Sequence, residues 1–499
     1  MVSGTKPNIL FIVWDACRYD YALEHAPTLR KLGEEGVWFE NAIAPATWSL
    51  PSHTSMFTGK YPHEHGVTQP SQSKIPTTLS KEIGSEGYST YCVSGNGFAS
   101  NQWGFGEGFD YLRFTQGPEP YSDGLEMYDF LREKTERENN KRVSVLNDAL
   151  YECATHDHKF KSSVNLLSVI INHLSREELT VLQNIPHNIF RSGPQYSYDG
   201  EKNNKIIKKI FERESNSKNS FFLFTNYMET HRPYVPNSKL QKKHLGESLT
   251  RKEIFRLNEE IADPWEYISR VEGDGVDHSD IQKLRSLYAG EVETVDQHLN
   301  SVLEHLENNG LLKDTVVVVT ADHGEMLGEK DSFGRHRMGH EAAMSDHLSR
   351  VPLVISHPSL GDNKIRENVS LKEIYDFLLE AATVGEIDLN QLFSRDTAFC
   401  EYPALGDDSM YEEYPDVKNQ IIKQRVSQDT VSGYFGQWYV VINSDGMEIA
   451  KSNKEEQPVK NAPNELTDQI RSNLNALSDL GKQDIGGETA GRLKDLGYL

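Results

Sequence analysis

Three short stretches carry side chains whose types and positions could do chemistry together. The apolar run Ile9–Trp14 (ILFIVW) leads into Asp15, and the run Thr315–Thr320 (TVVVVT) leads into Ala321-Asp322-His323-Gly324. Apolar, β-rich runs of this length suit strands buried on both faces of a parallel sheet. In such sheets ligands gather beyond the carboxyl ends of the strands. Two carboxylates and an imidazole delivered there would suit a divalent cation. The third stretch, Thr47–Gly59 (TWSLPSHTSMFTG), reads as a helix. Ser49 is a good N-cap residue, Pro51 falls where the first turn tolerates proline, and Gly59 is a natural stop. A hydroxyl on the opening turn sits at the positive end of the helix dipole, which holds an anionic ester and favours an alkoxide. Taken singly, each acid could merely cap the turn after its strand, and Ser49 could be an ordinary helix cap. Together they would make a metal-assisted site for ester cleavage.

The elements that must position these groups are legible around them. Phe221–Phe224 and Val351–Ile355 are further strand-like runs. Between Ile281 and Glu307 the apolar residues Leu284, Leu287, Tyr288, Val292, Val295, Leu299, Val302 and Leu306 recur at helical spacing. Strands alternating with helices predict an α/β fold with helices on both faces of a mostly parallel, mixed sheet. Residues 115–215 read as a helical insertion covering the site; its charged, helical centre, Asp123–Ser192, carries Leu166, Leu167, Val169, Ile170 and Leu174. Beyond Gly385 the character changes. Gln437–Ile449 predicts a hairpin turning at Asp445-Gly446, within a smaller α+β subdomain over 386–499, the catalytic domain being 1–385.

With 499 residues, two domains are the expectation. The 52 Lys+Arg against 75 Asp+Glu leave a net charge of −23, which repels nucleic acid and anionic lipid. An anionic substrate would then need a locally positive site, which a bound cation supplies. The polar start and the six-residue apolar run after it are too short for a signal peptide, and no run approaches a membrane span. Cys17, Cys92, Cys153 and Cys400 lie far apart, with no metal or disulfide spacing. A cytoplasmic protein is the expectation; its oligomeric state is not legible.

Taken in order, the three stretches resemble the sulfatases of the alkaline-phosphatase-like superfamily. The match includes Asp15 after an N-terminal strand, the Ser49-x-Pro51-Ser52 helix start, and the late Asp322-His323-Gly324. Further similar segments are Tyr61-Pro62-His63-Glu64-His65-Gly66, Glu229–Tyr234 (ETHRPY), Tyr288–Asp296, Gly339-His340 with Arg350-Val351-Pro352-Leu353, and the final Leu493–Leu499 (LKDLGYL). The resemblance implies one divalent metal ion, calcium first with manganese or zinc as alternatives, held by Asp15, Asp322, His323 and the Ser49 oxygen. It implies that His231 and His340 contact the ester oxygens or protonate the leaving group, with His53 beside them.

Departures from the family pattern bear on the substrate. The family oxidises a Cys or Ser in Cys/Ser-x-Pro-x-Arg to formylglycine; here Ser49 holds the first position and His53 the arginine position. The usual paired Asp-Asp is Asp15-Ala16, and Ser94-Gly95 replaces a Gly-Lys pair. A second-metal ligand set cannot be assembled. The expected function is sulfuric-ester hydrolysis of a small anionic, sulfated substrate, with carbohydrate as a candidate, through position 49. One alternative is a phosphomonoester, phosphodiester or phosphonate hydrolase, or a phosphotransferase, using unmodified Ser49. The other is a non-catalytic binding protein that keeps the fold.

Overall fold

The apolar runs fold into the middle of an eight-stranded sheet. The computed structural model describes residues 6–68, 79–99, 104–115, 125, 127, 130, 142–176, 198, 200–272, 275–341, 343–385, 389, 396–404 and 427–480. In chain order the strands are β1 (Asn8–Trp14), β2 (Val37–Ile43), β3 (Ser89–Ser94), β4 (Tyr111–Phe114), β5 (Phe221–Tyr227), β6 (Thr315–Ala321), the separate hairpin β7 (Met326–Lys330) and β8 (His336–Gly339), β9 (Arg350–Ser356) and β10 (Asn363–Ser370). The sheet order is β10-β2-β9-β6-β1-β5-β3-β4. Only β9 runs antiparallel, to β2 and β6; the other pairs are parallel.

Every residue of β1, β5 and β6 is buried, as strands covered on both faces require. Register decides where their ends fall. Trp14 lies opposite Ala321 on one side and Tyr227 on the other, and Ser94 lies opposite Asn226. The carboxyl ends of four adjacent parallel strands, β6-β1-β5-β3, are therefore level.

Two groups of helices flank the sheet. The helix read over Ile281–Glu307 spans His278–Asn308, capped by Asp277, whose side chain accepts from Ser279 N–H. It packs against the helices Pro27–Glu34, Gly200–Glu214 and Ser238–Leu245. The second group contains Ser49–Thr58, Leu79–Ser85 and Ile374–Thr383. Ser49–Thr58 is buried from Ser49 through Phe57. Phe57 packs at 4.5 Å from Phe105, 5.0 Å from Phe224 and 6.1 Å from Phe11, measured between ring centroids. A fully buried aromatic contributes roughly 1.5–3 kcal/mol, so this cluster fixes the helix against β1 and β5.

Within the span read as an insertion, helices Arg142–Thr155 and Lys159–Arg176 pack together around Met127, Ala149, Cys153 and Leu166. Gly200–Glu214 differs: it buries Ile206, Ile207, Ile210 and Phe211 against β3 and β5, which makes it part of the sheet's flank. The side chains of Val169, Ile170 and Leu174, and the segment Leu493–Leu499, lie outside the described residues.

The C-terminal strands β11 (Thr397–Tyr402), β12 (Thr430–Phe435), β13 (Trp438–Asn443), β14 (Glu448–Ser452) and β15 (Glu455–Gln457) form an antiparallel sheet in that order. Asp445-Gly446 turns the β13–β14 hairpin, with Gly446 at φ +80°. The helix Asn464–Asp479 covers β12, where a Cβ on Gly433 would meet Ile470 Cδ1 at 2.8 Å. All four cysteines are buried and free. Among the described residues no helix is long and apolar enough to cross a membrane.

Candidate active site

The level strand ends bring the sequence-selected groups together. Asp15 follows β1, and its N–H donates to Tyr227 O at 2.8 Å. Ala16 then turns at φ +58°, a conformation that costs a non-glycine residue energy and needs fastening. The fastening is present: Ala16 N–H donates to Asp322 Oδ1 at 3.1 Å, and Tyr288 Oη–H donates to Ala16 O at 2.7 Å. Where the family pattern has a second aspartate, this chain has a left-handed alanine.

Ser49 was expected to cap its helix. Instead Trp48, in extended conformation, occupies the cap position, and Ser49 is the first helical residue. Its hydroxyl donates to Asp15 Oδ2 at 3.1 Å and lies 3.3 Å from His323 Nε2. A carboxylate is the stronger acceptor, so the hydroxyl faces the strand ends rather than its own backbone. The helix opening consequently has no side-chain cap, and its first-turn N–H groups remain suited to an anion.

His323 Nδ1 lies 2.8 Å from Gly324 O. A carbonyl only accepts, so Nδ1 carries the proton and Nε2 presents a lone pair beside Ser49. Burial pulls the His323 pKa down to about 4, despite Asp322, so the ring is neutral. Burial and the neighbouring Asp322 raise the pKa of Asp15, while His323 and His53 hold that of Asp322 down against its burial.

Asp15 Oδ1 and Asp322 Oδ2 are buried and accept no hydrogen bond. Ligand atoms of Asp15, Asp322 and His323 lie within 4.8 Å of one another. Buried carboxylate oxygens without donors are costly, and two of them beside a neutral imidazole form a donor set that fits a divalent metal ion.

The three other histidines occupy different settings. His340 packs at a tilt between two other histidines, with its ring centroid 4.4 Å from that of His323 and 5.2 Å from that of His231. Burial opposes its charge, but Glu341 and Glu325 push its pKa up to about 9; Glu325 Oε1 is 3.1 Å from its Nδ1. His231 is neutral, its pKa lowered by burial and by His340, and its Nδ1 lies 2.6 Å from Arg232 O. His53 is fully buried beneath Ser49: Nδ1 donates to Ser49 O at 2.9 Å, and Nε2 accepts from Asn226 Nδ2 at 3.1 Å. Burial lowers its pKa.

Three residues here escaped the sequence reading. Asn96 Nδ2 donates to Asp15 Oδ2 at 2.5 Å; it follows β3 (STYCVS), too polar to register as a buried strand. Glu325 accepts from Tyr234 Oη–H at 2.9 Å while holding His340; it sits two residues past His323, so closer attention to that motif would have found it. Tyr198 Oη lies 3.1 Å from His231 Nδ1 and donates to Arg232 O at 2.8 Å. No local signal marks it, since the contact exists only in the fold. Glycine is required beside the site, because a Cβ on Gly324 would stand 1.9 Å from His347 O.

The chain is similar in sequence to curated proteins and in fold to solved structures. N-acetylglucosamine-6-O-sulfatase of Bacteroides thetaiotaomicron is 24% identical over 391 residues, 71% of this chain; the match spans 63% of that protein's length. A multifunctional alkaline phosphatase superfamily protein of Trinickia caryophylli is 23% identical over 404 residues, 70% of this chain and 68% of its own. Among solved structures, the phosphonate monoester hydrolase of Agrobacterium radiobacter shares the fold with a TM-score of 0.58 at 16% identity, over 95% of this chain and 96% of that one. Residues 7–384 match the family described as Sulfatase, and the chain belongs to the sulfatase family.

Proposed function

We propose that this protein is a divalent-metal-dependent hydrolase of sulfuric esters, with the residue at position 49 as nucleophile. The observation that carries the proposal is the convergence of Ser49 Oγ, Asp15 Oδ2 and His323 Nε2 within 3.3 Å of the serine oxygen, beside two donor-free carboxylate oxygens. Asp15, Asp322, His323 and the Ser49 oxygen would hold the metal, calcium first. When bound, such an ion stabilises negative charge on the ester and on the attacking oxygen. Asp15 aims the hydroxyl, and the uncapped helix opening offers N–H groups to the ester oxygens. His340, kept charged by Glu341 and Glu325, supplies positive charge and a proton for the departing oxygen. His53, with both nitrogens engaged, positions Ser49, and Asn96 shares the Asp15 carboxylate. The name of the Bacteroides relative supports a sulfated carbohydrate as substrate.

A second reading is phosphate- or phosphonate-ester hydrolysis by unmodified Ser49. It is favoured by His53 at the family's arginine position, where both of its nitrogens are already used. A formylglycine hydrate expels sulfate by collapsing to the aldehyde; a plain serine ester must instead be released by attack of water on sulfur or phosphorus. Mass spectrometry of the peptide containing residue 49 separates the two. A mass lower by two hydrogens supports the first reading, and an intact serine supports the second. Chromogenic sulfate, phosphomonoester, phosphodiester and phosphonate substrates, assayed with calcium and with chelator, complete the test. Turnover that survives full chelation refutes metal dependence.

A further inference from the structure

Glu401 lies on β11, in the C-terminal sheet and beyond the residues 7–384 that match the family. It is fully buried, yet its bonds go to the two segments that flank the Ser49 helix. On the near side, Glu401 N–H donates to Pro45 O at 2.9 Å and Thr47 N–H donates to Glu401 O at 3.3 Å. These form an isolated parallel bridge at Ala46, three residues before Ser49. On the far side, the Glu401 carboxylate receives His63 N–H at 3.0 Å on Oε2, and His63 Nδ1 stands 2.5 Å from Oε1. His63 lies on the short helix Pro62–His65 that follows Gly59.

The far segment is in turn tied to the nucleophile helix. His65 Nδ1 accepts from Val67 N–H at 3.0 Å, so its Nε2–H donates toward Ser55 Oγ at 3.1 Å and Pro51 O at 3.3 Å. Tyr61 packs edge-on against Phe399 of β11 at 5.6 Å. One buried glutamate thus holds the chain entering the helix through its backbone and the chain leaving it through its carboxylate.

We infer that Glu401 is a positioning residue for the nucleophile, and that the C-terminal sheet clamps both ends of the Ser49 helix. The inference rests on the proposed function only for its kinetic consequence. The bonds of Glu401 go to residues 45, 47 and 63 and not to the strand-end groups, so it acts on where Ser49 Oγ stands through the segments that flank the helix. Displacement of a reacting group by about 1 Å can cost on the order of 10²-fold in rate.

The test uses the full chain with Glu401→Gln, which keeps the backbone bridge but removes the charge facing His63, together with His63→Gln and the double variant. The expected result is a fall in kcat of about tenfold or more with KM within about twofold, for both single variants. The double variant should lose little more than either, since both act through one pair. Hydrogen exchange gives an activity-independent arm: peptides covering 45–58 should exchange faster in Glu401→Gln while peptides from β1 and β6 do not change. Unchanged kcat with unchanged exchange over 45–58 overturns the inference, and so does acceleration spread evenly over all strands. If Glu401→Gln does not fold, His63→Gln carries both measurements. Absence of any ester hydrolysis by the wild-type chain would sink the functional proposal instead, while the exchange arm still decides the clamp.

Discussion

At the scale of single residues, the site rests on buried polar atoms that lack partners of their own. Asp15 Oδ1 and Asp322 Oδ2 accept no hydrogen bond, and burial together with the neighbouring Asp322 raises the cost of ionising Asp15. A ligand that binds only the folded form stabilises it by about 2.7 kcal/mol at a hundredfold excess over its Kd. Calcium should therefore raise the melting temperature of the wild type and leave that of Asp322→Asn unmoved; an equal rise in both would remove Asp322 from the ligand set. Ser49→Ala should reduce turnover to background. It removes one hydrogen bond to a carboxylate, worth ~1.5–3 kcal/mol at most, so circular dichroism should still report the native fold. The side chains that the sequence made legible (Asp15, Ser49, Asp322, His323, His231 and His340) all sit next to motif residues of distinctive type. Asn96 and Tyr198 did not stand out, because amides and phenols are common and their meaning comes from a partner far away in the chain.

At the scale of elements, strand tips and helix openings do the positioning. The turn after β6 passes so close to the short helix Asp346–Ser349 before β9 that a Cβ on Gly324 would overlap His347 O at 1.9 Å. Gly324→Ala is expected to cost at least the upper end of the ~1–3 kcal/mol typical of overpacking and to abolish calcium-dependent stabilisation together with it; a soluble variant with wild-type melting behaviour would contradict this. The His63–Glu401 pair gives a pH dependence of defined sign. Burial opposes the charge of His63, but Glu401, with Glu64, raises its pKa above the ordinary histidine value. Its stabilising contribution is thus complete below about pH 6.5 and is lost as pH rises through the higher folded-state value. The urea-unfolding difference between wild type and His63→Gln should shrink from pH ~6.5 to ~8.5; a gap that widens over that interval would exclude the pairing. Strands β1, β5, β6 and β9 were readable because apolar side chains on both faces leave a continuous run. The edge strand β10 (NKIRENVS) was not, since most of it is exposed or half-buried and carries polar residues, and β3 (STYCVS) was hidden by its serines and threonine although all but its first residue are buried.

At the scale of the whole molecule, a net charge of −23 imposes self-repulsion on the compact state. Raising salt from ~0.1 to ~1 M shortens the screening length from about 10 Å to 3 Å, so the melting temperature should climb with potassium chloride. A flat or falling dependence would show that local ion pairs outweigh the net repulsion. The amino-acid sequence by itself determined the class of fold, the buried strands that build its centre, and the oxygen and nitrogen donors that suit a cation, because each of these depends on residue type and short-range spacing. Tertiary structure alone decided that four strand ends stand level, that Ser49 opens its helix without capping it, that Asn96 and Glu325 support Asp15 and His340, and that Glu401 reaches the segments on both sides of the Ser49 helix. Those facts depend on strand order and register, which bring together residues as far apart as 15, 96, 322 and 401, and no local pattern encodes them.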